Sequence, residues 1–161
     1  AVLVPPLRLR ITALSAMLVK AGAHLEATGG DEAAFLGSRL APDMWPLLKQ
    51  VQVVSDFAKN GPARLAGREP ESWPDTETDL LGLSQRLGRN LDVLAGYSAA
   101  DHDGRAFATI TFPVAGQTMQ LSGLDYVTGF VLPNFYFHLS MAYALMRHGG
   151  VPLGKRDFMG L

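Results

Sequence analysis

Four stretches of the chain place apolar residues every three or four positions, the period of an α-helix with one buried face. Each stretch is long enough for several helical turns, and the first ends at Gly29-Gly30, a pair that commonly terminates helices. The pattern therefore predicts four amphipathic helices. Their apolar stripes run through Leu7, Ile11, Leu14, Leu18, Ala21 and Leu25; Leu47, Val54 and Phe57; Leu80, Leu83, Leu87, Leu91 and Leu94; and Phe135, Leu139, Ala142 and Met146.

The period changes between the third and fourth stripes. FATITF (107–112) and QTMQL (117–121) are rich in β-branched or alternating residues, and they flank a turn-forming stretch at 113–116. We predict one β-hairpin inserted before the last helix. Because a two-stranded ribbon is not stable alone, the hairpin is expected to lie against the helices and to shape one end of a pocket.

Small polar residues indicate where helices begin, because their side chains accept hydrogen bonds from free backbone amides. We expect Asp31 to cap a short helical turn and Asp43 to cap the second main helix, with Pro46 in its first turn. Asp75 or Thr76 is expected to cap the third. Ser122 followed by Asp125 fits a capping box, so the last helix should begin near Gly123.

Two prolines are expected to disturb the helices that contain them. Gly61-Pro62 should break the second main helix, although ARLAG could continue it after a kink. Pro133 lies inside the last helix, where a missing amide usually produces a kink. After Gly149-Gly150 a short tail follows, and its Phe158 and Leu161 are expected to pack on the helices or on a second subunit.

Length and composition limit the classes of function. A chain of 161 residues forms one domain, here residues 1–161, with room for a core. A net charge of −1 gives no reason to expect nucleic acid or an anionic membrane as a partner. The absence of cysteine excludes disulfides and thiolate chemistry. The apolar start AVLVPPL is too short for a signal or a membrane span, so we expect a cytoplasmic protein.

Polar residues on apolar helix faces mark a candidate site. Asn134 and His138 lie one turn apart on the last helix, and Gln50 lies on the core side of the second. A buried polar group without a partner costs about 1–3 kcal/mol, so these three should meet partners between the two helices. Gln52 and Asp56 form a further pair, either on a solvated face or at this site, and His102 is expected to be an exposed loop residue.

The end of the chain also carries a resemblance to a known family. PNFYFH-x3-AY-x-LMRH-x-G, closed by GKRDF-x-G, resembles the C-terminal signature of a family of unknown function in the DinB-like superfamily. The resemblance continues through 39–59 and the DTET run at 75–78, so it covers nearly the whole chain. Gly149 replaces the asparagine of the usual RHNG turn. The resemblance implies an all-α, DinB-like four-helix bundle, but no established reaction.

The resemblance bears on metal binding. Proteins of the DinB-like superfamily often hold a divalent metal through three histidines, two of them spaced H-x3-H on one helix. At the matching positions this chain has Asn134, His138 and Gln50. One histidine with two neutral amides is a poor zinc or nickel site. We therefore expect no metal or other cofactor, with a divalent metal at His138, and with Asp56 recruited, as the alternative.

A metal-free small-molecule enzyme or binder is the preferred hypothesis. His138 would act as acid or base, with Tyr143 and Asp56 as further catalytic candidates. Relatives of the family are associated with oxidation or cyclisation of phenolic polyketide-type compounds, so the resemblance implies an aromatic or phenolic substrate and oxygenase- or hydroxylase-like chemistry. The candidate substrate-binding residues are Gln50, Asn134, Trp45, Phe57, Tyr136 and Tyr126.

A third hypothesis is non-catalytic: Gln50, Asn134 and His138 form a satisfied network that fixes helix register. No dinucleotide or P-loop fingerprint is present, and no G-x-S-x-G elbow. Nucleotide cofactors and ordinary hydrolase chemistry are therefore disfavoured. Lys155, Arg156 and Asp157 could pair with a second subunit, and we expect a homodimer.

Overall fold

The computed structural model of the chain describes residues 3–161, so Ala1 and Val2 of the apolar start lie outside the described residues. Its elements follow the predicted order of helices, hairpin and final helix. In chain order they are α1 (Val4–Thr28), α2 (Glu32–Leu36), α3 (Leu47–Leu65), α4 (Leu80–Ala95), two 3₁₀ turns (Ala99–Asp101 and Arg105–Phe107), β1 (Thr109–Val114), β2 (Gln117–Ser122), α5 (Gly123–Asp125), a π-helical segment (Tyr126–Val131), α6 (Leu132–His148) and α7 (Lys155–Met159).

The four long helices form a bundle in which α3 packs against α6 and α4, and α1 packs against α4. The predicted stripes supply the core, where Leu14, Leu83 and Leu139 are fully buried. Burying one such leucine contributes about 1.5–3 kcal/mol, so the stripes themselves drive the association of the helices. The predicted all-α bundle with an inserted hairpin is confirmed.

The hairpin pairs its strands antiparallel, from Thr109 opposite Ser122 to Val114 opposite Gln117. Ala115 and Gly116 form the turn, both with positive φ (49° and 79°), as a two-residue turn of the hairpin type requires. The turn is therefore shorter than predicted. Ile110 and Phe112 are buried, so β1 attaches the hairpin to the bundle while β2 lies outside.

Two of the predicted helix caps are confirmed and two are wrong. Asp31 accepts from the Ala34 amide, and Ser122 accepts from the Asp125 amide. Asp43 caps nothing, because α3 begins only at Leu47, directly after the extended Pro46.

The start of α4 also differs from the prediction. Asp79, not Asp75 or Thr76, is its N-cap, and its Oδ1 accepts from the Gly82 amide at 2.7 Å. The chain before it stays non-helical because the side chains of Asp75 and Glu77 bind Arg86.

Gly61-Pro62 does not break α3, which continues to Leu65. Pro62 has no amide hydrogen to donate within the helix, but the packing of α3 against the last helix compensates for that missing hydrogen bond. A Cβ on Gly61 would lie 2.7 Å from Cγ1 of Val131, so the glycine lets α3 approach the last helix closely. The disturbance expected at Pro133 takes the form of the π-helical segment that ends just before α6.

The tail folds back along α1 through α7. Phe158 contacts Tyr143 edge-on at 5.8 Å between ring centres, and Asp157 pairs with Lys20 at 2.5 Å. Leu161 is 81% exposed, so it does not pack on the helices of its own chain, and its contact with a second subunit stays a prediction. Within residues 3–161, no helix combines the length and apolar character needed to cross a bilayer.

Candidate functional site

His138 lies on α6 and faces α3, where it meets Gln50. Its Nδ1 is 2.7 Å from Gln50 Oε1, and Gln50 Nε2 donates to the Trp45 carbonyl at 3.1 Å. Because the amide nitrogen of Gln50 is used by that carbonyl, its oxygen is the atom that faces the histidine. An amide oxygen only accepts, so Nδ1 carries the imidazole proton and Nε2 keeps its lone pair.

Aromatic rings surround this imidazole and form what we call the aromatic cleft, made of Trp45, Phe57 and Phe137 around His138. Trp45 stacks at 5.5 Å and Phe57 at 6.2 Å between ring centres, and Phe137 meets the ring edge-on at 5.0 Å. Trp45 and Phe137 are about half exposed. The cleft is therefore reachable from solvent, although His138 itself is only 8% exposed.

The second imidazole nitrogen is the reactive atom of the cleft. Among residues 3–161, the buried side-chain nitrogen and oxygen atoms without a hydrogen-bond partner are Arg10 Nε and Asn90 Oδ1. His138 Nε2 has no protein partner and is not among them, so it reaches solvent. Burial lowers the pKa of His138 below its ordinary value of 6.5. At neutral pH the cleft thus presents an unprotonated nitrogen that can accept a hydrogen bond or a proton.

Asn134 does not join this pair. Its Nδ2 donates to the Phe130 carbonyl at 2.8 Å, within the disturbed stretch around Pro133. The amide is thereby used to satisfy backbone in the last helix, and the structure brings together only two of the three polar residues singled out from the sequence.

The three candidate tyrosines also lie apart from His138. Tyr126 is buried against Phe112 at 4.7 Å, and burial raises its pKa. Tyr136 packs edge-on against Phe135. Tyr143 lies against Phe158 of α7, about 7.5 Å further along the helix axis than His138. Tyr136 and Tyr143 thus pack around the bundle, and the hydroxyl of the buried Tyr126 also hydrogen-bonds with Arg64.

Asp56 faces α4 and pairs with Arg86, whose Nη2 lies 2.7 Å from Oδ1. Burial raises the pKa of Asp56, and the guanidinium of Arg86 opposes that rise. Asp56 also lines a cavity of about 210 Å³ between α3, β1 and the π-helical segment. We call it the Arg64 cavity; its lining residues are Asp56, Phe57, Asn60, Arg64, Pro113 and Phe130.

Phe57 connects the Arg64 cavity to the aromatic cleft. Its ring stacks on His138 and also meets Phe130 at 5.7 Å in an edge-on arrangement. Phe57 is therefore both a lining residue of the Arg64 cavity and a member of the group of rings around His138.

The sequence analysis missed Arg86, which is almost fully buried on α4. Its Nε donates to Ser55 Oγ at 2.9 Å, and its Nη1 lies 3.1 Å from both Asp75 and Glu77. The sequence did contain a signal for this residue, because Arg86 and Asn90 both fall beside the leucines on the apolar face of α4.

The arginine cluster covers only one member of the polar pair on α3. Gln52 is buried and donates to Glu77 Oε2 at 2.9 Å, so the solvated-face alternative is wrong for Gln52. Asp56 binds Arg86 but keeps 34% of its side chain exposed.

His102 is buried, so the expectation of an exposed loop histidine is also wrong. Its Nε2 donates to the Pro62 carbonyl at 3.0 Å, and its ring stacks on Tyr97. Nothing in the local sequence indicates this contact, which joins positions 40 residues apart.

The residues that the resemblance places at metal-binding positions do not fit a metal ion. Gln50 Oε1 and His138 Nδ1 bind each other, and Asn134 binds backbone. No group of three histidine, cysteine, aspartate or glutamate side chains in residues 3–161 is arranged to hold a metal.

Comparison with solved structures defines the class of protein. The chain superposes with a TM-score of 0.92 on the crystal structure of a DinB family member protein from Shewanella denitrificans. The two are 37% identical, and the match covers 99% of this chain and 90% of the other. The fold is therefore a DinB-like helical bundle.

The family follows from the sequence match. The model of a domain of unknown function, DUF1993, matches residues 1–159, and the chain belongs to that family. The search of curated proteins gave no match.

Proposed function

We propose that this protein binds a small aromatic or phenolic compound in the aromatic cleft and acts on it without a metal. One observation supports this most strongly: a neutral imidazole is fixed by Gln50 through Nδ1, lies between Trp45 and Phe57, and turns Nε2 toward solvent. Aromatic walls with a single directed polar atom are typical of small-molecule sites.

The chemistry open to this arrangement begins with proton transfer. A phenol hydroxyl within reach of His138 Nε2 would donate a hydrogen bond and then its proton. The phenolate so formed adds to an electrophilic carbonyl carbon of the same molecule, and His138 returns the proton to the resulting alkoxide, giving cyclisation without a change of oxidation state. Alternatively, the phenolate is oxidised by molecular oxygen, which accepts four electrons: one oxygen atom becomes the second carbonyl of a quinone and the other leaves as water. His138 is the catalytic residue in this proposal, and Gln50 positions it.

Binding of phenol, with cyclohexanol as the saturated control, tests the proposal by isothermal titration calorimetry. We expect wild type to prefer phenol at least about tenfold, a difference of about 1.4 kcal/mol. His138→Ala should abolish the preference. His24→Ala, on α1, is the control and should retain it. Equal binding of the two alcohols, or a preference that survives in His138→Ala, would contradict the proposal.

Two alternative hypotheses predict different results for wild type and His138→Ala. Gln50 accepts a hydrogen bond from His138 and donates one to the Trp45 carbonyl, and this pairing favours a purely structural network. That role predicts a less stable His138→Ala and no aromatic ligand for either protein. Near-stoichiometric zinc, nickel, iron or manganese in untagged wild type, lost in His138→Ala, would favour a divalent-metal enzyme. The homodimer and the cytoplasmic location stay predictions.

A further inference from the structure

Lys59 is a buried amine between α3 and the connector that leads to α4. The residue lies on α3 and is only 5% exposed. Its Nζ donates to Asn60 Oδ1 at 2.7 Å and to the Glu71 carbonyl in the connector. Both acceptors are uncharged oxygens. Because a lysine is almost never fully buried without a charged partner, this amine is an unusual feature of the fold.

The carboxylates of this region are paired with arginines instead. Arg86 lies within 3.1 Å of three of them, and Arg89 lies 3.9 Å from Glu71. Across residues 3–161, no carboxylate oxygen lies within 4.0 Å of Lys59 Nζ. The ammonium form of Lys59 therefore lacks the direct counter-charge that a buried cation needs.

Two arginines crowd the same indole ring as Lys59. Its Nζ is 5.2 Å from the centre of the Trp73 ring, and the guanidinium carbons of Arg89 and Arg86 are 4.1 and 5.9 Å from that centre. An arginine side chain cannot be deprotonated in a protein. Only the lysine can reduce the repulsion between these cations, and it does so by losing its proton.

The surroundings of Lys59 thus favour the neutral amine. Burial lowers the pKa of Lys59 below its ordinary value of 10.5; Asp56 and Glu71 oppose that change, and Arg86 and Arg64 reinforce it. A neutral amine has two N–H groups and one lone pair. Because the two acceptors of Nζ match the two N–H groups, the lone pair is left for an electrophile.

The amine borders a cavity of about 250 Å³, which we call the Lys59 cavity. Both residues that accept hydrogen bonds from Nζ line this cavity together with Lys59, so the amine lies at the cavity wall. The other lining residues are Asp56, Arg64, Glu69, Pro70, Ser72 and Trp73. Because the lining carries charges of both signs, the cavity suits a small neutral molecule better than an ion.

From this arrangement we propose that Lys59 is a reactive amine that condenses with a small neutral aldehyde in the Lys59 cavity. Nζ forms a bond to the carbonyl carbon, the π pair of the carbonyl moves to its oxygen, and one nitrogen proton passes to that oxygen. The hydroxyl group then leaves as water with the second nitrogen proton, and an imine remains. No oxidation state changes. The site is separate from the aromatic cleft and does not depend on the proposed function.

Reductive trapping tests this proposal. Wild type is incubated at pH 7 with a limiting amount of propanal and with sodium cyanoborohydride, which reduces an imine to a stable secondary amine. Peptide mass spectrometry then gives the rate of modification at each lysine. We expect Lys59 to react at least about tenfold faster than Lys20, Lys49 or Lys155, because each unit by which a pKa falls raises the unprotonated fraction about tenfold.

Two variants complete the experiment. Lys59→Arg keeps the donors but removes the nucleophile, so the fast modification should be absent while the slow modification of the other lysines stays. Lys20→Arg, on α1, is the matched control and should retain the fast modification. Circular dichroism confirms that each variant is folded.

Two results would overturn the proposal. The first is modification of Lys59 at the rate of the exposed Lys155 or more slowly, which would indicate an ordinary amine. The second is modification of Lys59 only after unfolding in urea, which would show that this lysine is solely a structural link between α3 and the connector.

Discussion

At the scale of single residues, the hydrogen bonds of Gln50 determine which nitrogen of His138 carries the proton. A glutamine that donates to backbone with its nitrogen has only its oxygen left for the imidazole, and this fixes the tautomer of a histidine that burial keeps neutral. The pair was predictable from the sequence because both residues interrupt apolar stripes. The hydrogen-bond partner of Asn134 was not predictable, because it is the Phe130 carbonyl in an irregular part of the last helix.

The lowered pKa of His138 predicts how stability depends on pH. The unfolded chain takes up a proton near pH 6.5 while the folded protein resists it until lower pH, so the free energy of unfolding falls as pH decreases from 6.5 through the folded-state pKa. His138→Gln lacks this titrating group, so its free energy of unfolding does not fall with pH for this reason. The stability advantage of wild type over the variant should therefore narrow between pH 7.5 and pH 5, as measured by urea denaturation.

The matched control for this pH dependence is Gln85→Leu, an exposed substitution on α4 that removes no titrating group. Its stability difference from wild type should stay constant over the same pH range. A wild-type advantage over His138→Gln that widens on acidification would contradict the assignment of a buried neutral imidazole.

At the scale of elements, the beginning of α4 shows that tertiary contacts can override local helix-capping preferences. Local rules allow a cap at Asp75 or Thr76, but the structure begins the helix at Leu80 behind Asp79. We expect Asp79→Ala to lower the free energy of unfolding by about 1 kcal/mol, the usual effect of losing a cap. Thr76→Ala should change it by less than about 0.5 kcal/mol. Chemical denaturation measures both.

The reverse order of effects, with Thr76→Ala costing more than Asp79→Ala, would show that the helix begins earlier than the structure places it. Asp79→Asn serves as a rescue, because an asparagine oxygen can accept the same amide hydrogen bond.

Elements were predictable wherever their determinants are local. Asp31 and Ser122 cap as expected because each bonds an amide three residues away. Prediction failed where contacts between distant residues decide the local structure. The side chains of Asp75 and Glu77 bind Arg86, and α4 does not begin at these residues. Close packing of Gly61 against Val131 keeps α3 helical past Pro62. Single-sequence patterns contain no information on these partners, so the connector before α4 and the course of α3 required the structure.

At the scale of the whole molecule, the chain has the frame of a DinB-like bundle and superposes on the crystal structure of a DinB family member protein with a TM-score of 0.92. Within that frame, the hydrogen-bonded Gln50–His138 pair joins α3 to α6. Aromatic rings pack around the imidazole of that pair. The aromatic cleft thus combines a base and a stacking surface, which are elements of recognition for a phenol.

The most direct measurement is a long-range ¹H–¹⁵N NMR spectrum of the histidine side chains at pH 7, with and without phenol. The chain has four histidines, so His138→Ala assigns the relevant pair of signals. We predict a protonated Nδ1 and an unprotonated Nε2 in the free protein, with a saturable shift of Nε2 when phenol is added. A proton on Nε2, or an Nε2 signal that phenol does not move, would contradict the account.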